Sequence, residues 1–258
     1  MVGAETRAQA RRRVYRRRRQ VAATVLILSC TLLVLGGFRL AAALTDGPGS
    51  AATDQPKSSS TPGPSPGAGT SAPVRGTGVY SLAPGGTVRQ GSGTVVTYRV
   101  EVENGAGQSA PAFAAAVDAT LADPASWAGH GRWSVQRVSG KKADLVIRLA
   151  TAATVGAVCG AAGLEDASYS SCRTGQIVMI NLQRWLTAVP EYHGDVALYR
   201  HYLINHEVGH GLGYGHQACP GPGLPAPVMQ QQTLGLKGCL PNGWPYIGGK
   251  LVSGKAGA

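Results

Sequence analysis

The residues best suited to chemistry in this 258-residue chain fall within eleven positions: His206, Glu207, His210 and His216. They spell H-E-x-x-H-x-x-G-x-x-H. With six His and six Glu in the chain, chance gives H-E-x-x-H in roughly 0.3% of such sequences, and the added Gly and His lower that about 300-fold. Histidines four apart share one face of a helix and can grip one metal ion. Gly213 lets the backbone leave that helix sharply, since glycine tolerates positive φ. The turn returns His216 as a third ligand and leaves a fourth tetrahedral position for water and substrate. Neutral imidazoles suit Zn²⁺, so one catalytic zinc ion is the expected cofactor. Glu207 is placed to take a proton from a metal-bound water and pass it to a leaving amine. Peptide-bond hydrolysis follows, although other amides and esters use the same parts.

Other elements must hold these residues. Asp195 is placed to cap the helix carrying the first two histidines, and Gln176 to Leu182 reads as a central strand before it. Val96, Tyr98, Val100 and Val102 alternate with Thr97, Arg99, Glu101 and Glu103, the period of a half-buried strand. Ser109-Ala110-Pro111 opens an alanine-rich helix that runs to about Ala122, before Pro124. Trp133 to Val138 and Asp144 to Ala150 are further strands, and residues 151–174 read as a long loop. After His216 the chain is irregular and proline-rich. Cys159, Cys172, Cys219 and Cys239 permit three pairings, and short-loop closure favours Cys159–Cys172 with Cys219–Cys239. No C-x-x-C spacing supports a cysteine zinc site.

The formal net charge of +11 suggests a nucleic-acid partner until the charges are located. Eight arginines lie in the first twenty residues, and beyond Arg39 there are 15 basic and 12 acidic residues. The basicity is a local tag, so no nucleic-acid partner is expected. Residues 1–20 read as a cytoplasmic tail and 21–44 as a single membrane span. The apolar run Val21–Phe38 would measure about 27 Å as a helix, and the arginines before it stay inside. Ala41-Ala42-Ala43 offers the alternative of a cleaved signal and a secreted product. Residues 45–76 are a Pro/Gly/Ser linker, and 77–258 form an extracellular domain. Cys30 within the span is a small apolar residue.

The run His206–His216 resembles the metzincin clan of zinc endopeptidases. That resemblance implies an α+β fold in which a twisted mixed sheet lies over an active-site helix, followed by an irregular C-terminal subdomain. It also implies a Met-turn at Ala226-Pro227-Val228-Met229, with Met229 supporting the histidines without ligating the metal, and a peptide or protein substrate. The layout further resembles a family of actinobacterial membrane-anchored proteins of unassigned function, through Gln176-Ile177-Val178-Met179-Ile180-Asn181 and Pro227-Val228-Met229-Gln230-Gln231-Gln232. Several clan members carry a tyrosine two residues after the turn methionine, where this chain has Gln231; Gln231 or Tyr246 would have to replace it. A zinc-stabilised binding module and a zinc amidase acting on cell-wall material are the alternative functions. His130, His193 and His201 read as structural, as do Trp127, Trp133, Trp185 and Trp244. Asp166 and Asp195 are the acidic candidates for supporting the ligands.

Overall fold

Strand β3 (Thr94–Glu103) carries the alternation read from the sequence, and the rest of the sheet forms around it. The computed structural model describes residues 72–257 apart from positions 141 and 166. The basic tail, the 21–44 span and linker residues 45–71 lie outside the described residues. Among the described residues no helix is long and apolar enough to cross a membrane. The sheet also contains β1 (Tyr80–Leu82), β2 (Gln90–Gly91), β4 (Trp133–Arg137), β5 (Leu145–Ala150), β6 (Cys172–Thr174) and β7 (Ile177–Asn181). Its order is β2-β4-β3-β5-β7-β6, with β1 pairing the far end of β3. β3 runs parallel to β4 and β5, and β5 runs parallel to β7. β1, β2 and β6 are antiparallel to their neighbours, so the sheet is mixed and the fold is α+β.

One sheet face is apolar and covered by helices. Tyr98, Val100 and Val102 share it with Leu145, Ile147, Leu149, Val178 and Ile180. Helix α1 (Ala110–Ala122) presses Phe113, Val117 and Leu121 onto this face. Ser109 starts α1 as the sequence predicts, its hydroxyl accepting from the Ala112 N–H at 3.3 Å. Each fully buried Leu or Ile in this layer contributes roughly 1.5–3 kcal/mol relative to exposure. Helix α3 (Leu182–Thr187) follows β7, capped by Asn181, and helix α4 (Val196–Gly211) packs under β7 and against α1.

Within 151–174, expected as one long loop, the chain instead forms a helix at Ala152–Ala161 and an edge strand at Cys172–Thr174. α2 (Ala152–Ala161) covers the other sheet face, seating Val155 and Cys159 on Ala150 and Met179. Its sequence has too few large apolar residues to show a helical period. The missing stabilisation comes from Glu103, 48 residues away, whose carboxylate accepts the Thr151 N–H at 2.8 Å and the Thr154 hydroxyl at 2.6 Å. A carboxylate there satisfies orphan donors and complements the helix dipole. Glu103 also accepts the Gly78 N–H at 2.8 Å, and a Cβ at Gly76 would collide with its carboxyl. The "solvent" face of β3 is therefore closed at this end, with Glu103 only 1% exposed.

Burial works against the charge of Glu103, but hydrogen bonds from Thr154, Thr151 and Gly78 hold its carboxyl below the ordinary carboxylate range. Its contribution to stability is therefore present at neutral pH and is lost as pH falls through that depressed value. Glu103→Ala strands those donors and is expected to cost about 3 kcal/mol at pH 7. The deficit should shrink in acid, where the wild-type carboxylate is protonated too. Urea unfolding at successively lower pH checks both parts, and a deficit that does not change with pH would refute the assignment.

Candidate metal centre

Helix α4 is fixed at both ends before it presents any chemistry. The Asp195 carboxylate accepts the Leu198 N–H at 2.9 Å, so Asp195 is an N-cap, as its position predicts, and not a support for the histidines. Near the C-terminus, a Cβ at Gly209 would sit 2.5 Å from Met229 Sδ and 2.9 Å from Trp127 Cζ2. A Cβ at Gly211 would lie 2.8 Å from Leu145 Cδ1. These glycines let the helix approach Met229 and β5 closely. Gly213 has φ +91°, the left-handed conformation that ends the helix, and the Tyr214 N–H closes back on the Gly209 carbonyl at 3.0 Å.

The turn brings the three histidines of the motif together. One ring nitrogen from each of His206, His210 and His216 lies within 4.8 Å of those of the other two. His210 Nε2 and His216 Nε2 are 3.1 Å apart; two nitrogens bound to one tetrahedral zinc stand roughly 3.3 Å apart. His206 Nδ1 is 2.8 Å from the Val228 carbonyl, and His210 Nδ1 is 2.9 Å from the Tyr214 carbonyl. A carbonyl only accepts, so each Nδ1 carries the proton and each Nε2 keeps its lone pair. Burial, reinforced by His210 and His216, pushes the His206 pKa down to about 3. Burial also lowers the pKa of His210 and His216. Three ring nitrogens this close together, two of them with Nε2 lone pairs fixed by their Nδ1–H bonds, can hold a metal ion.

Glu207 lines the same cleft at 4% exposure. Its Oε2 is buried without a hydrogen-bond partner, and burial pushes its pKa up to about 8. A cation at the imidazoles would stabilise the carboxylate and pull that value back down. The donor set and the orphaned oxygen thus both fit a divalent cation. The cleft has a volume of about 460 Å³. One wall is Leu164, Glu165, Ala167, Ser170 and Ser171 with the start of β6, and the other is Gln231, Thr233 and Leu234.

Supporting residues, of which the sequence points only to Trp127, as a structural side chain, form a layer behind the histidines. Tyr202, one turn before His206, packs on its ring, donates to the Gln230 carbonyl at 3.2 Å and accepts the Gln232 N–H at 2.9 Å. Asn205 joins the Ser126 hydroxyl to the Gly243 carbonyl, while Trp127 Nε1 donates to the Asn205 carbonyl. Trp127 also stacks on Tyr214 at 4.4 Å, which steadies the turn carrying the His210 acceptor. The i−4 spacing of Tyr202 was a usable signal. The carbonyls of Val228 and Tyr214 have none, because backbone acceptors leave no mark in a sequence.

Met229 is 1% exposed beneath the helix, and its carbonyl accepts the Gln217 N–H at 3.0 Å. The disulfides are Cys159–Cys172 and Cys219–Cys239, the pairing favoured by loop closure. The first ties α2 to cleft-lining β6, and the second brackets the segment containing Met229. The remaining histidines stay outside the cleft. His201 bonds Thr120 and packs on Trp244, His130 stacks on Tyr246, and His193 sits in the turn before α4. Asp166 lies outside the described residues. Tyr246 does not line the cleft, whereas Gln231 does, and its side chain has no hydrogen-bond partner among the described residues.

Residues 66–246 match the family described as "Protein of unknown function (DUF3152)". No curated protein and no solved structure matches the chain.

Proposed function

We propose that this chain, which belongs to the DUF3152 family, is a zinc-dependent endopeptidase of metzincin type, held at the outer face of a membrane by residues 21–44. The observation that carries the reading is the buried Glu207 carboxylate, with one unpartnered oxygen, in the same cleft as three converging imidazoles. A zinc site serving only structure is closed by four protein ligands and has no use for a buried base. The close packing of Met229 under Gly209, and the Val228 carbonyl on His206, support a Met-turn role for residues 226–229.

Zinc bound there would act as a Lewis acid, polarising the scissile carbonyl and making water a better nucleophile. His206 and His210 hold their Nε2 lone pairs in place through their Nδ1–H bonds to Val228 and Tyr214. Glu207 Oε2 takes the proton released by the attacking water and returns it to the departing amine nitrogen. Gln231 is the free amide donor in the cleft, suited to the oxygen that gains charge in the transition state. Gln231→Ala is expected to lower kcat on the order of 100-fold while leaving zinc content unchanged. Tyr246→Phe should leave kcat unaltered. Steady-state kinetics on a peptide substrate measure both, and the reverse ranking would assign the role to Tyr246.

The direct test is hydrolysis of a diverse peptide library by the purified full chain, with zinc content measured on the same sample. Full zinc loading without cleavage of any peptide would instead support a zinc-stabilised binding module.

A further inference from the structure

His216 is held differently from its two companions. His206 and His210 each have a carbonyl on Nδ1. The only hydrogen-bond-distance neighbour of the His216 ring among the described residues is His210 Nε2. No hydrogen bond therefore orients this imidazole through its second nitrogen; its ring packs on His206 and His210, and its backbone sets where it stands. That backbone is clamped from two sides. The Gln217 N–H donates to the Met229 carbonyl at 3.0 Å on one side. On the other, residues 252–257 run antiparallel to 216–218 as a strap. The Gly257 N–H donates to the His216 carbonyl at 2.8 Å, and the Ala218 N–H donates to the Lys255 carbonyl at 2.9 Å. The Gly254 N–H reaches the Gln217 side-chain oxygen at 3.3 Å, and Gln217 bridges Ala256.

The strap approaches so closely that a side chain is excluded at Gly254 and crowded at Gly257. A Cβ at Gly254 would collide with the Ala218 carbonyl, and one at Gly257 would lie 3.1 Å from the Gln217 carbonyl carbon. It is anchored upstream by the Val252 N–H on the Pro245 carbonyl at 2.8 Å. It follows the short hairpin β8 (Tyr246–Ile247) and β9 (Lys250–Leu251). All of it lies beyond residue 246, where the family match ends.

We infer that the 252–257 strap positions the third metal ligand, substituting backbone clamping of His216 for the ring hydrogen bond that the other two histidines have. The inference rests on the zinc reading of the site. Residues 253–257 are positioning residues, since none lines the cleft. Removing them frees the turn at Gly213–Gly215, and a ligand with more conformational freedom binds metal less tightly.

The test measures zinc affinity of the purified full chain by competition with a chromophoric chelator. Stopping the chain after Val252 should weaken zinc binding 10- to 100-fold. Gly257→Pro removes the N–H given to His216 and crowds the strap at Gln217, and should weaken it about 10-fold. Lys255→Ala keeps both backbone groups and should leave affinity unchanged. The stop should cause no further loss in a His216→Ala background, because the strap acts through that residue. Equal zinc affinity with and without the strap overturns the proposal, as does an equal loss in both backgrounds. An intact chain that takes up no zinc overturns the metal reading, and the strap's role with it.

Discussion

Glu207→Gln is expected to lower peptide hydrolysis by 10²- to 10⁴-fold while zinc content and the unfolding midpoint stay close to wild type. The size follows from what general acid–base catalysis supplies; a thousandfold loss corresponds to about 4 kcal/mol of transition-state stabilisation. Glutamine keeps the volume of the side chain in a site only 4% exposed, so no cavity opens. Glu207 Oε2 makes no hydrogen bond that the fold could lose, and replacing an unpartnered buried carboxylate with a neutral amide does not strand another group. A merely structural residue would behave in the opposite way, losing stability before rate. Zinc by metal analysis, midpoint by calorimetry and kcat on one peptide suffice. Turnover within threefold of wild type would remove Glu207 from the chemistry and with it the protease mechanism.

The selectivity of that prediction comes from the way the fold separates duties. His206, Glu207 and His210 sit on α4, a helix fixed by Asp195 at one end and Gly213 at the other, and His216 follows the turn. The two helix histidines are oriented by carbonyls outside α4, at Val228 and Tyr214. Tyr202, Asn205 and Trp127 then tie α4 to residues 230–243 and to the turn near 127. A change at Glu207 touches none of these.

The motif was legible in the sequence because coordination constrains residue type and spacing together. His206 and His210 must be one turn apart, and a positive-φ glycine must precede His216. The strands were legible for a related reason. Val96–Val102 alternates because β3 has one apolar face, and Gln176–Leu182 does not alternate because β7 is covered on both faces. Helix α2 was not legible, since its N-terminus is satisfied by Glu103 and its apolar contacts depend on Met179 and Cys172. Both are long-range features that no local window contains. The use of Asp195 was only half legible, because it serves as a cap while the carbonyls of Val228 and Tyr214 orient His206 and His210. The strap went unread because Gly254 and Gly257 look like ordinary tail residues until Gln217 and Ala218 lie against them.

Stripping metal with a chelator is expected to lower the unfolding midpoint by on the order of 10 °C and to abolish hydrolysis together with it. An ion that binds only the folded arrangement stabilises it by about 4 kcal/mol when present at a thousand times its dissociation constant. For a domain of this size each kcal/mol moves the midpoint about 2–4 °C. The folded arrangement is needed here because His216 reaches the other two only through the left-handed turn at Gly213. His206→Ala should bring the midpoint near the chelated value and make it insensitive to chelator, whereas Glu207→Gln should retain the full chelator response. The chelated protein should still unfold cooperatively, since the apolar sheet face and α1 involve none of the histidines. The two disulfides close short loops, each worth about 3 kcal/mol, and Cys219–Cys239 in particular braces the segment around Met229 without help from a metal. Adding reductant to the chelated chain should therefore cause a second, separate drop. If chelation alone removed the cooperative transition, the metal and not the sheet would be organising the domain, and the division between scaffold and site drawn above would be wrong.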